Sequence, residues 1–203
     1  EFLIAASRQS RSEMRSSMKI GILAVQGAFA EHEQMLEQLG AEYIELRKGE
    51  DVRQSYDGLI LPGGESTVQG KLMRELDMFD TIQSQIKNGM PVLATCAGAI
   101  LLAQQLSNDA ATHLATLPAV VRRNAYGRQL GSFSVDEQIE GIGTFPMRFI
   151  RAPYIEKVLD DTKVLAKVDG NIVMVENKNQ LAMSFHPELT SDTRIHEMFL
   201  KKI

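Results

Sequence analysis

The chain has 203 residues, 44% hydrophobic and 24% charged, the size and balance of one globular domain that buries roughly 70% of its unfolded surface and too apolar for disorder. A formal net charge of −4 argues against sequence-independent nucleic-acid binding, which runs on excess Lys and Arg, and no apolar run reaches the roughly 18 residues of a membrane span. The lone cysteine, Cys96, excludes an internal disulfide framework and a multi-thiolate zinc site.

Residues 1–17 differ in character from the rest of the chain. They place Arg8, Arg11 and Arg15 among Ser7, Ser10, Ser12, Ser16 and Ser17. Phe2 to Ala6 is shorter than the apolar core of about 7–15 residues that a signal peptide needs. Glu1 and Glu13 count against an organelle transit peptide. The segment reads as an extension outside the natural protein or translated from an upstream start, with Met18 as the natural start and 18–203 as a single domain. With no export signal and one free thiol, the expected compartment is the cytoplasm.

From Met18 to Val25 a nearly continuous apolar run predicts a strand buried on both faces, as in a parallel sheet. Ala28 to Leu39 has helical spacing at Phe29, His32, Met35, Leu36 and Leu39, with Gly40 as its stop. Glu42 to Arg47 reads as a second strand and Asp57 to Leu61 as a third, ended by Pro62-Gly63-Gly64. Helical patterns cover Ser66 to Leu76 and Phe79 to Lys87. Pro91 to Thr95 is another buried strand, followed by Cys96 and a predicted helix from Ala99 to Leu106.

Such alternation is the signature of right-handed crossovers on a parallel sheet. The second half is richer in strands: Val120 to Arg122, Leu130 to Val135 and Thr144 to Ile150, then a hairpin of Val164 to Val168 with Ile172 to Glu176 around Asp169-Gly170-Asn171. Leu181 to Phe185 is a last buried strand and Arg194 to Lys201 a closing helix. The expected fold is therefore α/β, a mostly parallel sheet flanked by helices on both faces, with a strand-rich second half.

The most informative stretch runs from Pro91 to Leu102. A buried strand enters a cysteine, small residues follow, and a helix begins at once. That is the strand–turn–helix geometry of a nucleophile elbow. Ala97 and Gly98 allow the tight turn, the helix N-terminus favours thiolate, and the Ala97 N–H is placed to receive a developing oxyanion. On this strand alone a buried structural cysteine is an equal reading, because free Cys is among the most buried residue types.

Ser184-Phe185-His186-Pro187-Glu188 adds a base and an orienter. Pro187 biases His186 toward an extended backbone, where His186 and Glu188 lie on one side. Glu188 can then hold one imidazole nitrogen while the other faces a thiol. By itself His-Pro-Glu reads as a polar turn; the pair of motifs is more specific than either part. His32 on an amphipathic helix and His196 on the last helix read as satisfied surface or partly buried histidines, and His113 sits in a polar loop. With no His-Glu-x-x-His spacing and no ligand cluster, no metal and no cofactor are expected.

Thr95-Cys96-Ala97-Gly98 with His186-Pro187-Glu188 resembles the class I (triad-type) glutamine amidotransferases, whose architecture is flavodoxin-like. Within them the chain is most similar to the glutaminase subunit of pyridoxal 5′-phosphate synthase. The narrower likeness rests on Ala24-Val25-Gln26-Gly27, Pro62-Gly63-Gly64-Glu65-Ser66-Thr67, Arg123 to Gln129 and Phe149-Ile150-Arg151-Ala152-Pro153. It spans Met18 to Ile203 and leaves out the first seventeen residues.

The resemblance implies a role for each matching position. Cys96 is the implied nucleophile toward the side-chain amide of glutamine, His186 the base and proton donor, and Glu188 the orienter. Gly63 and Gly64 match the oxyanion strand, where glycine lets a backbone N–H face the substrate oxygen; without the likeness they are a strand-to-helix turn. Glu65, Arg123, Ile150 and Arg151 match positions that hold the amino-acid end of glutamine, which offers one cation and one carboxylate. Glu65 also fits a helix N-terminus with Ser66 as cap, and Arg151 a solvated strand end. Gln26 is a minor candidate for the active-site edge or a partner contact.

The likeness further implies hydrolysis through a glutamyl thioester and a partner, a (β/α)₈-barrel synthase subunit that uses the ammonia to make pyridoxal 5′-phosphate. The competing readings are a triad glutaminase of another synthase, such as that for imidazole glycerol phosphate, a cysteine hydrolase or chaperone-like protein of the same architecture, and a non-catalytic docking homologue.

Overall fold

The computed structural model describes residues 2–126 and 131–203, except the side chains of residues 2, 3, 6 and 7. In chain order the elements are α1 (Phe2–Ser16), β1 (Lys19–Leu23), α2 (Phe29–Leu39), β2 (Glu42–Leu46), α3 (Gly49–Val52), β3 (Gly58–Leu61), α4 (Ser66–Glu75), α5 (Phe79–Lys87), β4 (Val92–Thr95) and α6 (Ala97–Leu102). Next come β5 (Ala103–Leu106), β6 (Leu117–Arg122), β7 (Ser132–Ile139), β8 (Gly143–Ile150), β9 (Tyr154–Val158), β10 (Lys163–Val168), β11 (Asn171–Asn177), β12 (Gln180–Met183), a 3₁₀ turn (Pro187–Leu189) and α7 (Arg194–Leu200).

One large sheet runs β2-β1-β3-β4-β12-β11-β9-β6-β5, with β10 on β11. Its first five strands are parallel, from Lys19↔Glu42 to Met183↔Thr95. The chain leaves β1 sideways to β2 and then returns past it to β3, so the strand order reverses at β1. That is where ligand clefts open in α/β sheets, outside the carboxyl ends of the strands. From β12 onward the pairing turns antiparallel through β11, β9 and β6.

Two cores cover the two faces. Leu23, Leu61, Val92 and Ala94 pack under α4, α5 and α6 through Met73, Ile82, Ile86 and Leu101. On the other face Ile20, Ile22, Ile60 and Leu93 meet α2 and α7 through Leu36, Leu39, Ile195 and Phe199. Strand residues that alternate between two covered faces must be apolar, and β3, β1 after Lys19 and β4 up to Thr95 are.

A separate hairpin, β7–β8, lies over the second face. Along β8 buried and exposed residues alternate, with Phe145, Met147 and Phe149 buried. Phe149 stacks on Phe133 at 4.6 Å between ring centroids, and Phe145 lies beside Phe185 at 6.1 Å. This hairpin brings the end of β8 to the sheet's carboxyl edge.

Most predicted elements occur within a few residues of their expected bounds, including the β10–β11 hairpin at Asp169-Gly170, both of which take positive φ. The predicted helix from Ala99 to Leu106 is a correction. Helix α6 stops at Leu102, and Ala103–Leu106 becomes β5, paired in parallel with β6. In Ala-Gln-Gln-Leu only the outer two residues are buried, an i, i+3 spacing that fits a helix as well as a twisted edge strand, and the hydrogen bonds to β6 decide it. Strand β9 and helix α1 have no counterpart among the predicted elements. Leu130 and the Gly127-Arg128-Gln129 part of the motif lie outside the described residues. Among the described residues no helix is long and apolar enough to cross a membrane.

Candidate active site

Four loops converge at the carboxyl edge of the parallel strands: Gln26 after β1, Gly63 to Glu65 after β3, Cys96 after β4 and His186 after β12. The end of β8 supplies a fifth, Ile150 and Arg151. A cleft of about 280 Å³ is lined by residues of all five, with Ala28 and Leu189 completing it.

Cys96 sits at the join of β4 and α6 with φ 49° and ψ −105°. A side chain held in this sparsely populated conformation is strained, and such strain persists where the surroundings over-determine it. Its N–H donates to the Met183 carbonyl at 2.8 Å, which ties the elbow to β12. The sulfur lies 3.8 Å from the Ile150 carbonyl oxygen, and only 6% of the residue is exposed.

His186 meets that thiol from the neighbouring strand. Its backbone N–H donates to the Arg148 carbonyl at 2.8 Å, and its Nδ1 stands 2.6 Å from Glu188 Oε1. Burial opposes charge on the imidazole, but hydrogen bonds to Cys96 and Glu188, and the charge of Glu188, outweigh it and raise the pKa to about 10. The contact to Glu188 forms otherwise than the sequence suggested. The extended backbone expected after His186 is replaced by the Pro187–Leu189 turn, and the turn, not strand alternation, brings the carboxylate under the ring.

The loop after β3 is pinned against this centre. A Cβ on Gly63 would lie 2.3 Å from His186 Cε1, so only glycine permits the approach. The Gly63 carbonyl accepts the Ala28 N–H at 3.0 Å, and Gly27, with φ +102°, leaves room for that oxygen, 2.0 Å from where its own Cβ would be. Gln26 Oε1 accepts the Glu65 N–H at 2.8 Å. Gln69, which sequence reasoning passed over, donates from Nε2 to the carbonyls of Gln26 at 3.1 Å and Pro62 at 3.2 Å.

The residues expected to hold an amino acid are placed unevenly. Glu65, Ile150 and Arg151 line the cleft; Arg151 takes φ 43° and its N–H donates to the Gly131 carbonyl at 2.6 Å. Glu65 is the cap residue of α4 but makes no side-chain cap bond, and Ser66 is already inside the helix. Arg123 does not line the cleft. Its guanidinium donates to Asp109 Oδ2 at 2.8 Å and Thr67 Oγ1 at 3.1 Å. Gln26 lines the cleft while bracing the β3 loop. Among the described residues no group of three or more His, Cys, Asp or Glu could hold a metal ion.

His32 and His196 correct the expectation of surface or partly buried rings: 0% and 1% of each is exposed. The signal was present in the spacing, since His32 falls on the same helix face as Met35, Leu36 and Leu39.

The family profile described as "SNO glutamine amidotransferase family" matches residues 22–203. The chain belongs to this family. It is 63% identical over 186 residues to the pyridoxal 5′-phosphate synthase subunit PdxT of Desulfitobacterium hafniense (strain DSM 10664 / DCB-2), covering 92% of this chain and 94% of the relative. It is 52% identical over 187 residues to the subunit of the same name from Streptococcus pneumoniae (strain CGSP14), covering 91% and 96%. Among solved structures, a glutamine amidotransferase superposes with a TM-score of 0.85 at 43% identity, over 90% of this chain and 97% of that one. PurLQS from Thermotoga maritima shares the fold, with a TM-score of 0.63 at 18% identity over 91% and 98%. In this family the sheet, the elbow and the His-Pro-Glu turn form a flavodoxin-like glutamine amidotransferase fold.

Proposed function

We propose that the chain is the glutaminase subunit of a pyridoxal 5′-phosphate synthase, releasing ammonia from L-glutamine and passing it to a synthase subunit. The observation that carries this reading is the meeting of Cys96 and His186 at one cleft, with Glu188 held on His186 behind it, in a chain 63% identical to a pyridoxal 5′-phosphate synthase subunit PdxT.

The chemistry divides into two half-reactions. In the first, Cys96 Sγ attacks the side-chain amide carbon, and the thiol proton resides on His186. The oxyanion lies against backbone N–H groups of the Gly63-Gly64 loop and of Ala97. Collapse breaks the C–N bond, His186 gives its proton to the departing nitrogen, and ammonia leaves behind a glutamyl thioester. In the second, His186 takes a proton from water, the hydroxide oxygen bonds the thioester carbon, and the C–S bond breaks. Glutamate leaves and the thiol regains its proton. Glu188 keeps the imidazole oriented through both halves. Glu65 and Arg151 face the amino and carboxylate groups of glutamine across the cleft, and the Ile150 backbone adds a polar edge. Arg123 reaches the substrate only if it leaves Asp109.

Ammonia protonated in bulk water is no longer a nucleophile, so a protected transfer to the partner follows from the chemistry. The partner is a (β/α)₈-barrel subunit in a hetero-oligomer, and the setting is cytoplasmic. The test is glutamate release with and without the synthase subunit. Slow hydrolysis by the chain alone and faster hydrolysis in the complex are expected, with the partner setting the orientation of the Gly63-Gly64 peptide; equal rates would remove that part of the partner. Cys96→Ala is expected to abolish turnover while still binding the synthase, and turnover retained by that variant would remove the nucleophile.

A further inference from the structure

Behind the triad, on the side away from the cleft, a second chain of side chains ends at Glu188. Its carboxylate is wholly buried. One oxygen, Oε1, is taken by His186. The other, Oε2, has no hydrogen-bond partner, and the group facing it is His32 Nε2 at 3.7 Å. That nitrogen also lies 3.3 Å from Thr95 Oγ1. On the far side of the ring, His32 Nδ1 is 2.9 Å from His196 Nε2, the two rings tilted by 50° with centroids 5.1 Å apart. Three separate elements, α2, the turn after β12 and α7, therefore meet at one buried polar string.

The protons on this string are constrained. Burial, then the neighbouring His196 and His186, hold His32 well below its ordinary value, and burial holds His196 down to about 4. Both rings are neutral at pH 7, so each carries one N–H. If His32 carried it on Nδ1, a bare Nε2 lone pair would face a carboxylate oxygen. His196 would then have to accept at Nε2, and its proton on Nδ1 would be a buried donor with no partner, since that atom is unpaired. The opposite assignment avoids both costs. His196 donates from Nε2 to His32 Nδ1, and the His32 Nε2–H points to Thr95 Oγ1 and Glu188 Oε2.

We infer that His32 and His196 form a positioning relay, which presents an N–H to the outer oxygen of Glu188 and so fixes the carboxylate on His186. The inference rests on the triad reading above and extends it. Neither histidine touches the cleft, so both act through Glu188. At 3.7 Å the link to Oε2 is longer than a hydrogen bond; it restrains the carboxylate by the direction of an N–H dipole in a site without water-exposed alternatives. Rotation of the carboxylate away from His186 would turn it from the donor as well as from the base.

The relay is tested in the full chain assembled with its synthase. His32→Leu is expected to lower kcat by roughly 10-fold or more, the range for lost outer partners of a buried site, with KM for glutamine within about twofold, because no substrate contact is removed. His32→Gln, which retains a side-chain N–H, is expected to recover part of the loss. His196→Leu should give a smaller fall in kcat, and both variants should shift the pH midpoint of Cys96 alkylation by iodoacetamide. A His32→Leu enzyme with kcat within twofold of the parent and an unmoved alkylation midpoint would overturn the relay. Should that variant fail to fold, nitrogen-15 histidine spectra of the unaltered chain decide: the relay requires the Nε2–H tautomer on both His32 and His196, and Nδ1–H on His32 refutes it. An unaltered complex with no glutaminase activity sinks the functional reading instead, while the tautomers still judge the relay.

Discussion

The two halves of the sheet differ in what their strand ends carry. In the parallel half, β1, β3, β4 and β12 each run into a loop at the same edge, and those loops hold Gln26, Gly63, Cys96 and His186. In the mixed half β11, β9 and β6 pair antiparallel and β5 joins β6 in parallel, so strand ends are divided between two edges. Among the described residues the second half of the chain reaches the cleft through the separate β7–β8 hairpin, whose buried phenylalanines lay it over the sheet and deliver Ile150 and Arg151, and through the loop after β12. Parallel pairing collects loops at one edge because every strand finishes there; antiparallel pairing gives extra surface but needs an added element to reach the same place.

This contrast predicts that the parallel edge tolerates less change than the hairpin end. Beyond the nucleophile itself, the largest effect is expected at Gly63. An alanine there would set its Cβ 2.3 Å from His186 Cε1, which forces the imidazole or the loop to shift. Losing one oxyanion donor costs roughly 10²–10³ in kcat, and Gly63→Ala is expected to lose at least that much while its melting temperature changes little. A steady-state assay in the complex checks it; Ile150→Ala, at an exposed hairpin position, should cost far less. Equal losses at the two positions would break the contrast.

The same division governs what could be read from the sequence. The parallel half was legible nearly strand by strand, because burial on both faces keeps the centres of β1, β3, β4 and β12 apolar. The elbow at Cys96 was legible too, since its turn chemistry is local, whereas the sequence suggested an extended strand and not a turn for the contact of His186 with Glu188. Long-range placement was not legible. Arg123 lies in a recognisable motif, but its ion pair with Asp109 depends on a tertiary approach that no spacing encodes. Ala103–Leu106 has a spacing shared by helix and strand, and only its neighbour β6 settles it. His32 stood on an apolar helix face, yet a polar ring there is buried only because His196 and Thr95 come to meet it.

An intermediate effect concerns acid stability, where the buried pair and the triad pull in opposite directions. His196 is held at about 4 in the fold against about 6.5 in an unfolded chain. Above pH 6.5 it contributes nothing to the pH dependence, because both states are neutral. Below that, the unfolded chain binds a proton that the fold refuses, and stability falls until about pH 4, by about 3 kcal/mol. His32 adds to the loss with the same sign. His186 is raised to about 10, so its contribution is fully present below about pH 6.5 and is lost as pH climbs toward 10. Urea unfolding at about pH 7.5 and about pH 4.5, on either side of the unfolded value, is expected to show the acid loss, and His196→Leu to reduce it; an unchanged pH slope in that variant would remove the buried pair as its source.

The smallest effect is expected from the N-terminal helix, which lies outside the matched residues 22–203. Helix α1 is tied to α7 by Arg15 and Glu197 at 3.3 Å, both partly exposed, and exposed ion pairs contribute only about 0–1 kcal/mol. Met14 is 60% exposed and Ile4 58%, so these apolar side chains bury little against the domain. If residues 18–203 are the folding unit, a chain starting at Met18 should melt within a few degrees of the full one and keep its glutaminase rate in the complex. A drop of about 10 °C would instead make α1 part of the fold, because the partly exposed Arg15–Glu197 pair alone cannot supply that much.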